Sequence, residues 1–365
     1  MNPAVEQVFD SPVYGLSQAQ KSARLLTALR ELSSHHQRHC PPYAAILAAQ
    51  PRRDPLSLVE LPFFPVRLFK QHLLESIEPA ERFKILTSSG TTGQAVSRIT
   101  LDRITSTYQT KAMVRIMQSF LGKDRLPMLV IDHPGVICDR LSFSARGAGI
   151  LGMSNFGRRP VYALQDDSMA LDLDALTDFL ETTANGPILI FGFTFMVWQF
   201  LVRALEDSGR RLHIPNGILV HSGGWKKLQD QAVDNASFKR RLQTVTGIQR
   251  VHNFYGMVEQ VGSIFVECEQ GHLHVPSFAE VIVRRATDWS EAAVGEEGVI
   301  QVLSCLPHSY PGHSLLTEDL GQLTGEDDCP CGRLGRTFSI KGRLPKAEVR
   351  GCSDTFGERQ DNLHG

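Results

Sequence analysis

Between residues 126 and 256 the chain alternates short, mostly apolar runs with amphipathic stretches, and few folds accommodate that pattern. LPMLVID (126–132), PILIFGF (187–193), GILVHSGG (217–224) and RVHNFYG (250–256) read as strands. LDLDALTDFLETTAN (171–185) and SFKRRLQTVTG (237–247) read as helices, the first stopped by Gly186, the second capped by Ser237 and stopped by Gly247. Strands that are apolar on both faces and separated by helices require a parallel sheet covered on both sides. Ligands of such sheets bind beyond the carboxyl ends of the strands, so the HSGG and NFYG loops are expected to face a site. The expected class is therefore α/β. After residue 260 the texture changes to short strands: GSIFVECEQGHLHV predicts a hairpin about a Glu-Gln-Gly turn, and FAEVIVRR, GVIQVLS and SLLTEDLGQL follow.

Nearer the start, residues 17–34 predict an amphipathic helix. Ser17 and Gln20 stand at capping-box spacing, and Leu25, Leu26, Leu29 and Leu32 mark one apolar face. The proline-rich stretch 50–65 reads as an irregular connector. Domain boundaries drawn on this basis are a helical segment at 1–50, an α/β core at 51–260, a β-rich subdomain at 261–341 and a short tail at 342–365.

Composition narrows the function. A formal net charge of −1 over 365 residues gives no reason to expect nucleic acid or an acidic membrane surface as partner. The most apolar run, PILIFGFTFMVWQFLV (187–202), is too short for a membrane span and reads as a buried strand entering a helix. The first residues, MNPAVEQVFDSP, carry acids and no long apolar core, unlike a secretory leader. With seven cysteines, an odd number, reduced thiols in the cytoplasm are the expectation.

Chemistry concentrates in a few places. TSSGTTGQAVSR (87–98) crowds hydroxyls around Gly90 and Gly93 and ends on Arg98. Glycines let backbone N–H groups approach a phosphate chain, and hydroxyls donate to its oxygens. The plain alternative is a flexible surface loop, and the spacing is not that of a Walker-type site. Cys268 and His274 flank the hairpin turn, and Cys329 and Cys331 form the C-x-C of DDCPCGR; two ligands from a hairpin and two from a tight turn suit tetrahedral zinc, with His272 able to stand in for His274. Inert buried thiols are the alternative, and Cys40, Cys138 and Cys305 are expected in the core. His133, in IDHPG, follows a strand end and is expected to be a hydrogen-bonded structural residue.

Taken in order, these segments resemble the motifs of the adenylate-forming enzymes: acyl-CoA ligases, firefly-type luciferases and peptide-synthetase adenylation domains. TSSGTTGQ resembles their phosphate loop, HSGG (221–224) their adenine-pocket segment, NFYGMVEQ (253–260) their aromatic-Gly-x-Thr-Glu motif, LLTEDLG (315–321) their Thr-Gly-Asp motif, and GRLPKAEVRG (342–351) their hinge. LPFFPVRLFK (61–70) and GRLPKAEVRGCSDT narrow the likeness to the acyl-protein synthetases of bacterial bioluminescence, over roughly residues 55–355. That resemblance implies a large adenylate-forming domain with helix-covered parallel sheets and a β-rich subdomain, the usual mobile C-terminal domain being missing or vestigial. It implies activation of a fatty acid by ATP to acyl-AMP, a thioester on the enzyme's own cysteine, and delivery to a reductase partner, with a hetero-oligomer as one consequence.

The same resemblance distributes roles. Ser88, Ser89, Gly90, Thr91, Thr92, Gly93 and Arg98 would hold phosphates, Gly223, Gly224 and Tyr255 would meet adenine, and Asp319 and Arg343 would take the ribose. Glu259 would hold Mg²⁺. Lys341 or Lys346 would replace the lysine that the absent domain normally supplies, and Cys352, beside Arg350, would accept the acyl group. FGFTFMVWQF (191–200) would line the acyl tunnel, although its periodicity alone says core. The Cys…His and C-x-C-G-R pattern also resembles a structural zinc site of phenylacetate-CoA ligases. Val258 departs from the pattern, which has Thr before the Glu; His252 and Ser222 are candidates to compensate. Two other outcomes stay open at this point: a ligase passing acyl or aryl groups to CoA or a carrier protein, and a non-catalytic subunit retaining the fold.

Overall fold

The computed structural model describes residues 3–49, 54–88, 96–137, 145–166, 168–183, 186–225 and 230–344. The described residues gather into two compact units, one formed by 120–254 and the other by the parts before 120 together with 255–344.

The 120–254 unit is a five-stranded parallel sheet. Its strands lie side by side in the order Gly157–Tyr162, Leu126–Val130, Ile188–Phe193, Gly217–Ser222 and Arg250–Tyr255. All six residues of Ile188–Phe193 are buried, as are the first five of Gly217–Ser222, which is what strands covered on both faces require. Gly192 makes the close packing feasible, since a Cβ there would meet Ile131 and Val197 at 2.9 Å. The helix expected over 171–185 is shorter, Leu173–Thr182: the Asp172 side chain caps it by accepting from Ala175 N–H, and it ends at Thr183 rather than at Gly186. The next expected helix is Asn235–Thr246, and its cap differs from the expectation. Asp234, not Ser237, is the N-cap: its carboxylate accepts the Ser237 N–H at 2.8 Å and the Ser237 hydroxyl at 3.0 Å, so Ser237 sits one turn inside as the donor. Gly247 closes this helix at φ 75°, the left-handed turn favoured by glycine.

The helix that follows Ile188–Phe193 contains a feature without a sequence signature. Val197–Arg203 forms a π-helix between the short α-segments Thr194–Met196 and Ala204–Ser208. Trp198 is buried on its inner side, 6.0 Å from the Phe238 ring and 5.3 Å from Trp225, with the Arg241 guanidinium 4.3 Å above it.

The other unit is built on antiparallel pairing. Ala279–Arg284, Glu297–Ser304, Ser314–Glu326, Arg336–Arg343, Leu273–His274 and Phe265–Glu267 succeed one another across the sheet. Phe265–Glu267 and Leu273–His274 are the two arms of the expected hairpin. Phe64–Pro65, inside LPFFPVRLFK, pairs in parallel with Leu315–Leu316. Across this unit lies the helix Gln18–His39, opened by the expected capping box of Ser17 and Gln20 and longer by five residues than its apolar pattern indicated. Leu25, Leu29 and Leu32 are buried; Leu26 is only half-buried. Lys21 is buried on the same helix because Glu280 meets it at 3.1 Å. Among the described residues, no helix is long and apolar enough to cross a membrane.

The far end of that helix carries a histidine cluster. His36 stacks on His313 at 4.9 Å between ring centroids, and His35 on His308 at 4.1 Å. His36 Nε2 donates to Pro307 O, its Nδ1 accepts from the Ser76 hydroxyl, and His313 Nε2 bonds Ser33 Oγ at 2.9 Å. Burial pushes His313 down to about 3 and His35 to about 4, and drives His36 well below the usual imidazole range. A histidine that charges more readily unfolded than folded contributes fully above its unfolded value. Its contribution is lost as pH falls through the window toward the folded value. Stability measured by urea unfolding is therefore expected to decline from about pH 6.5 toward pH 4, by up to about 1.4 kcal/mol per pH unit for each histidine held neutral. A flat profile over that range in wild type would contradict the neutral cluster, and His313→Asn is expected to shallow the slope.

Candidate functional site

The hydroxyl-rich segment begins at the end of a hairpin. Lys84–Thr87 pairs antiparallel with Arg98–Leu101, Thr87 opposite Arg98. One step further in, Ser88 N–H donates to Ser97 O at 3.1 Å, and Ser97 N–H donates to Ser88 Oγ at 2.9 Å. The Ser88 hydroxyl thus closes the neck of the loop and keeps its own hydrogen for another acceptor. Arg98 is exposed and makes no ion pair among the described residues. Ser89, Gly90, Thr91, Thr92 and Gly93 lie outside the described residues.

At the carboxyl end of Gly217–Ser222 the two glycines of HSGG differ. Gly223 has φ 84°, and a Cβ on it would stand 3.1 Å from the Phe193 ring; Gly224 has open space. His221 is buried, with Nδ1 2.9 Å from Thr194 Oγ1, and Thr194 also donates to Ser222 O. Burial pushes His221 down to about 3, so it serves as a neutral strut. Neither residue considered as a substitute for the missing threonine is idle: Ser222 Oγ donates to Phe254 O at 2.9 Å, and His252 is fully buried with its ring 5.2 Å from Phe120. In FGFTFMVWQF, the residues Phe191, Phe193, Phe195, Met196, Val197 and Trp198 are all buried, as core periodicity requires.

In the other unit, Glu259 lies in the 3-10 turn Val258–Gln260 and is only 7% exposed. The turn is fastened from several directions. Tyr310 donates its hydroxyl to Glu259 O at 2.9 Å, and Gln109 Nε2 reaches Tyr310 at 3.4 Å. Gln260 Nε2 donates to Gly312 O at 2.7 Å and to Val302 O at 3.1 Å. Gly262, at φ 92°, passes so close to the Arg103–Leu121 helix that a Cβ would stand 2.7 Å from Gln109 Cα. None of Gln109, Gln260, Gly262, Tyr310 or Gly312 was singled out by sequence, because their partners lie far away along the chain.

Asp319 is the centre of the third group. It stands directly opposite Arg343 in the pairing of Ser314–Glu326 with Arg336–Arg343. Arg343 Nε donates to Asp319 Oδ1 at 3.2 Å, and the Tyr255 hydroxyl donates to Oδ2 at 2.6 Å. Burial, reinforced by the Asp319 carboxylate, raises the Tyr255 phenol well above its usual value, so it remains a donor. The Tyr255 ring rests 6.1 Å from Phe265 and 6.1 Å from Phe338. Each Asp319 oxygen has accepted one hydrogen bond and retains capacity for another, which is what a pair of vicinal hydroxyls needs. Beside it Glu318 pairs with Arg67 of LPFFPVRLFK at 3.0 Å, so two segments quoted separately in the sequence are neighbours here. Lys341 is exposed. Lys346 and Cys352 lie outside the described residues, as does Cys138; Cys40 and Cys305 are buried free thiols.

Cys268, His274, Cys329 and Cys331 do converge. Their four ligand atoms lie within 4.8 Å of one another. Cys268 Sγ and Cys329 Sγ are 3.8 Å apart, and Cys331 Sγ is 3.2 Å from His274 Nε2. Zinc–sulfur bonds of about 2.3 Å at tetrahedral angles imply an S···S edge of about 3.8 Å, so the donor set fits that ion. His272 is not part of the cluster. Burial pushes the Cys329 thiol up to about 12 and raises Cys268 as well, protons that a divalent cation would displace.

Comparison with known proteins matches this architecture to a family. The model of "Acyl-protein synthetase, LuxE" matches residues 3–360. The chain is 22% identical over 304 residues to the long-chain-fatty-acid–luciferin-component ligase of Aliivibrio fischeri, covering 80% of this chain and 77% of that protein. It is 24% identical over 319 residues to the protein of the same name from Vibrio harveyi, covering 81% and 77%. Among solved structures, an open conformation of 2-hydroxyisobutyryl-CoA ligase with 2-HIB-AMP and CoA superposes with a TM-score of 0.68 at 18% identity, over 96% of this chain and 81% of that one. The same ligase in its thioesterification state gives 0.69 at 18% identity, over 95% and 73%. The fold is that of the adenylate-forming ligases, and the match along nearly the whole sequence makes this chain a ligase of the LuxE acyl-protein synthetase family.

Proposed function

We propose that the protein activates a long-chain fatty acid with Mg·ATP to the acyl-adenylate, transfers the acyl group to its own Cys352 as a thioester, and delivers it to a reductase partner. The observation that carries the nucleotide half is the Tyr255–Asp319–Arg343 group, a carboxylate fixed from two sides with acceptor capacity left for ribose hydroxyls. Family membership carries the acyl half. Ser88, Ser89, Gly90, Thr91, Thr92, Gly93 and Arg98 would bind the β- and γ-phosphates. Gly223, Gly224 and Tyr255 would contact adenine. Glu259, buried and held by its backbone, would hold Mg²⁺, which supplies charge neutralisation between the phosphates. Lys346 would complete the positive charge at the α-phosphate. Carboxylate attack on that phosphate releases pyrophosphate; the Cys352 thiolate then attacks the acyl carbonyl and AMP departs.

A second reading has support from the structural neighbours, which are CoA ligases: transfer to CoA or a carrier protein with Cys352 a bystander. Incubation with labelled fatty acid and ATP separates them. The expected result is hydroxylamine-labile label on wild type and none on Cys352→Ala. Label that moves only to CoA or a carrier supports the second reading, and absence of AMP under all conditions supports a non-catalytic subunit. Asp319→Ala is expected to lower the ATP dependence of pyrophosphate exchange (kcat/KM) by about 10- to 100-fold, the worth of one or two hydrogen bonds to a charged acceptor. An unchanged value would remove the ribose assignment.

The four-residue cluster is proposed to hold structural zinc. All four positions are filled by protein, leaving none for a substrate. Purified protein is expected to contain one zinc per chain by elemental analysis, to melt at a lower temperature after chelation, and to regain its melting point when zinc is restored. Cys331→Ser is expected to lose the metal. Metal-free protein with an unchanged melting point would contradict the assignment.

A further inference from the structure

The two ends of the five-stranded parallel sheet differ in charge. At the carboxyl ends, His133 and Asp166 follow adjacent strands and satisfy each other, with His133 Nδ1 2.7 Å from Asp166 Oδ1. At the amino ends, cations gather. Lys123 and Arg125 stand in the connection that leads into Leu126–Val130, and Arg158 and Arg159 begin the neighbouring strand Gly157–Tyr162. Arg210 and Arg211 lie in the segment that leads to Gly217–Ser222, and Arg250 opens the last strand. Parallel strands bring all of these positions to one end of the sheet. Backbone acceptors tie them together. Arg158 Nε donates to Arg125 O at 3.2 Å, Arg125 donates to Ser154 O at 3.0 Å, and Arg250 donates to Phe120 O at 2.7 Å, just ahead of Lys123. Leu212 N–H and Ile214 N–H donate to Val245 O and Thr246 O, which lays the Arg210–Arg211 segment beside the approach to Arg250.

All of these cations are exposed, and none makes an ion pair among the described residues. Acids at this end are fewer. Glu206 and Asp207 are met by Arg241 and Arg203, which leaves Asp124 and Glu181. Two structural uses account for part of the set. The carboxyl ends of helices, each worth about half a negative charge, precede Lys123 and Arg210. Charge on the edge strand Gly157–Tyr162 discourages pairing with another chain, although Pro160 and the left-handed Arg159 (φ 48°) already blunt that edge. One cation at each place would serve; the surface carries them in pairs. An apolar residue stands among them: Leu151 is 43% exposed on the helix Ala145–Met153, next to the Ser154 carbonyl that Arg125 binds. Five strands about 4.8 Å apart make this end about 20 Å across. A fluid anionic bilayer can meet extendable side chains at any spacing, whereas an acidic protein must match them charge for charge.

We infer that the amino end of this parallel sheet is a docking surface for an anionic lipid bilayer, whose phosphate headgroups the arginines and Lys123 meet. The net charge of −1 conceals it, because the cations are concentrated at one end of one unit. Each basic side chain within a Debye length of such a bilayer adds to the attraction, and Leu151 adds a shallow apolar contact. The strands rise about 3.3 Å per residue, so the carboxyl ends stand about 20 Å from the headgroups and stay in water. The surface needs no part of the acyl chemistry. That it brings the enzyme to where long-chain acids partition is a consequence that rests on the proposed activity.

The test is co-sedimentation of the full chain with extruded vesicles. Wild type is expected to pellet with vesicles of equal parts phosphatidylcholine and phosphatidylglycerol, to stay in solution with phosphatidylcholine alone, and to be released as salt rises from about 0.1 M to about 0.5 M. Arg125→Gln and Arg158→Gln are each expected to lower the partition coefficient about 5-fold, and the double variant by more than either. Lys123→Gln is the second variant should Arg125→Gln fold poorly, and melting temperature checks that each variant is folded. Arg30→Gln, which removes an exposed cation from the helix Gln18–His39, is expected to bind as wild type does. Pyrophosphate exchange without vesicles is expected to be the same in all of them, so failure of docking and failure of the proposed activity are told apart. Equal pelleting with neutral vesicles, no pelleting at low salt, or variants that bind like wild type overturn the assignment. Binding to polyglutamate but not to vesicles makes the occupant an acidic protein, binding to duplex DNA but not to vesicles makes it a nucleic acid, and either result overturns the lipid assignment.

Discussion

The register between Ser314–Glu326 and Arg336–Arg343 is the constraint on which the 255–344 part of the chain depends. It sets Asp319 opposite Arg343, so the carboxylate meets its guanidinium without any loop having to find it. A slip of one residue would send Asp319 to the other face of the sheet. The same strand receives Phe64–Pro65 along Leu315–Leu316 and binds Arg67 through Glu318. One strand therefore ties an early segment, the Asp319 carboxylate and the pairing partner Arg343 to a single backbone, and Tyr255 completes the group with a phenol that burial keeps protonated.

Glu259 illustrates how a charged side chain is kept inside. Its turn is held through backbone groups, by Tyr310 at the Glu259 carbonyl and by Gln260 bridging to Gly312 and Val302. Each of these bonds is worth about 1 kcal/mol net, yet breaking one leaves a buried polar atom unsatisfied, which costs more. Geometry at such a site is protected less by the strength of any one contact than by the cost of losing it. Gly312 and Gly262 act in the same sense by allowing approach where a methyl group would collide.

Much of this was legible in the sequence, for reasons that can be named. Ile188–Phe193 and Gly217–Val220 announced themselves because strand residues buried on both faces make one uninterrupted apolar run, with no polar positions in it to blur the pattern. The convergence of Cys268, His274, Cys329 and Cys331 was legible because a hairpin turn and a C-x-C fix their own local geometry, leaving only one long-range pairing to guess. Asp234 and Ser237 are both good cap residues, and the choice between them rests on which side chain the Ser237 backbone N–H meets in the fold. The supports of Glu259 were hidden because Gln109 and Tyr310 lie 150 and 51 residues away from it. His133 and Asp166 come from successive parallel strands with a helix between, so no local spacing could pair them.

The π-helix at Val197–Arg203 constrains how this chain can vary. A single-residue insertion is the simplest way to make such a bulge from an ordinary helix, and each residue turns an α-helix by about 100°. Trp198 lies within the wide turn and Leu205 beyond it, and both point into the same packed interior. Shortening the segment by one position would restore regular winding and swing one of them toward water. Length here is thus as restricted as residue identity, and lineages of this chain should tolerate exchange of side chains in the segment more readily than any change in its count.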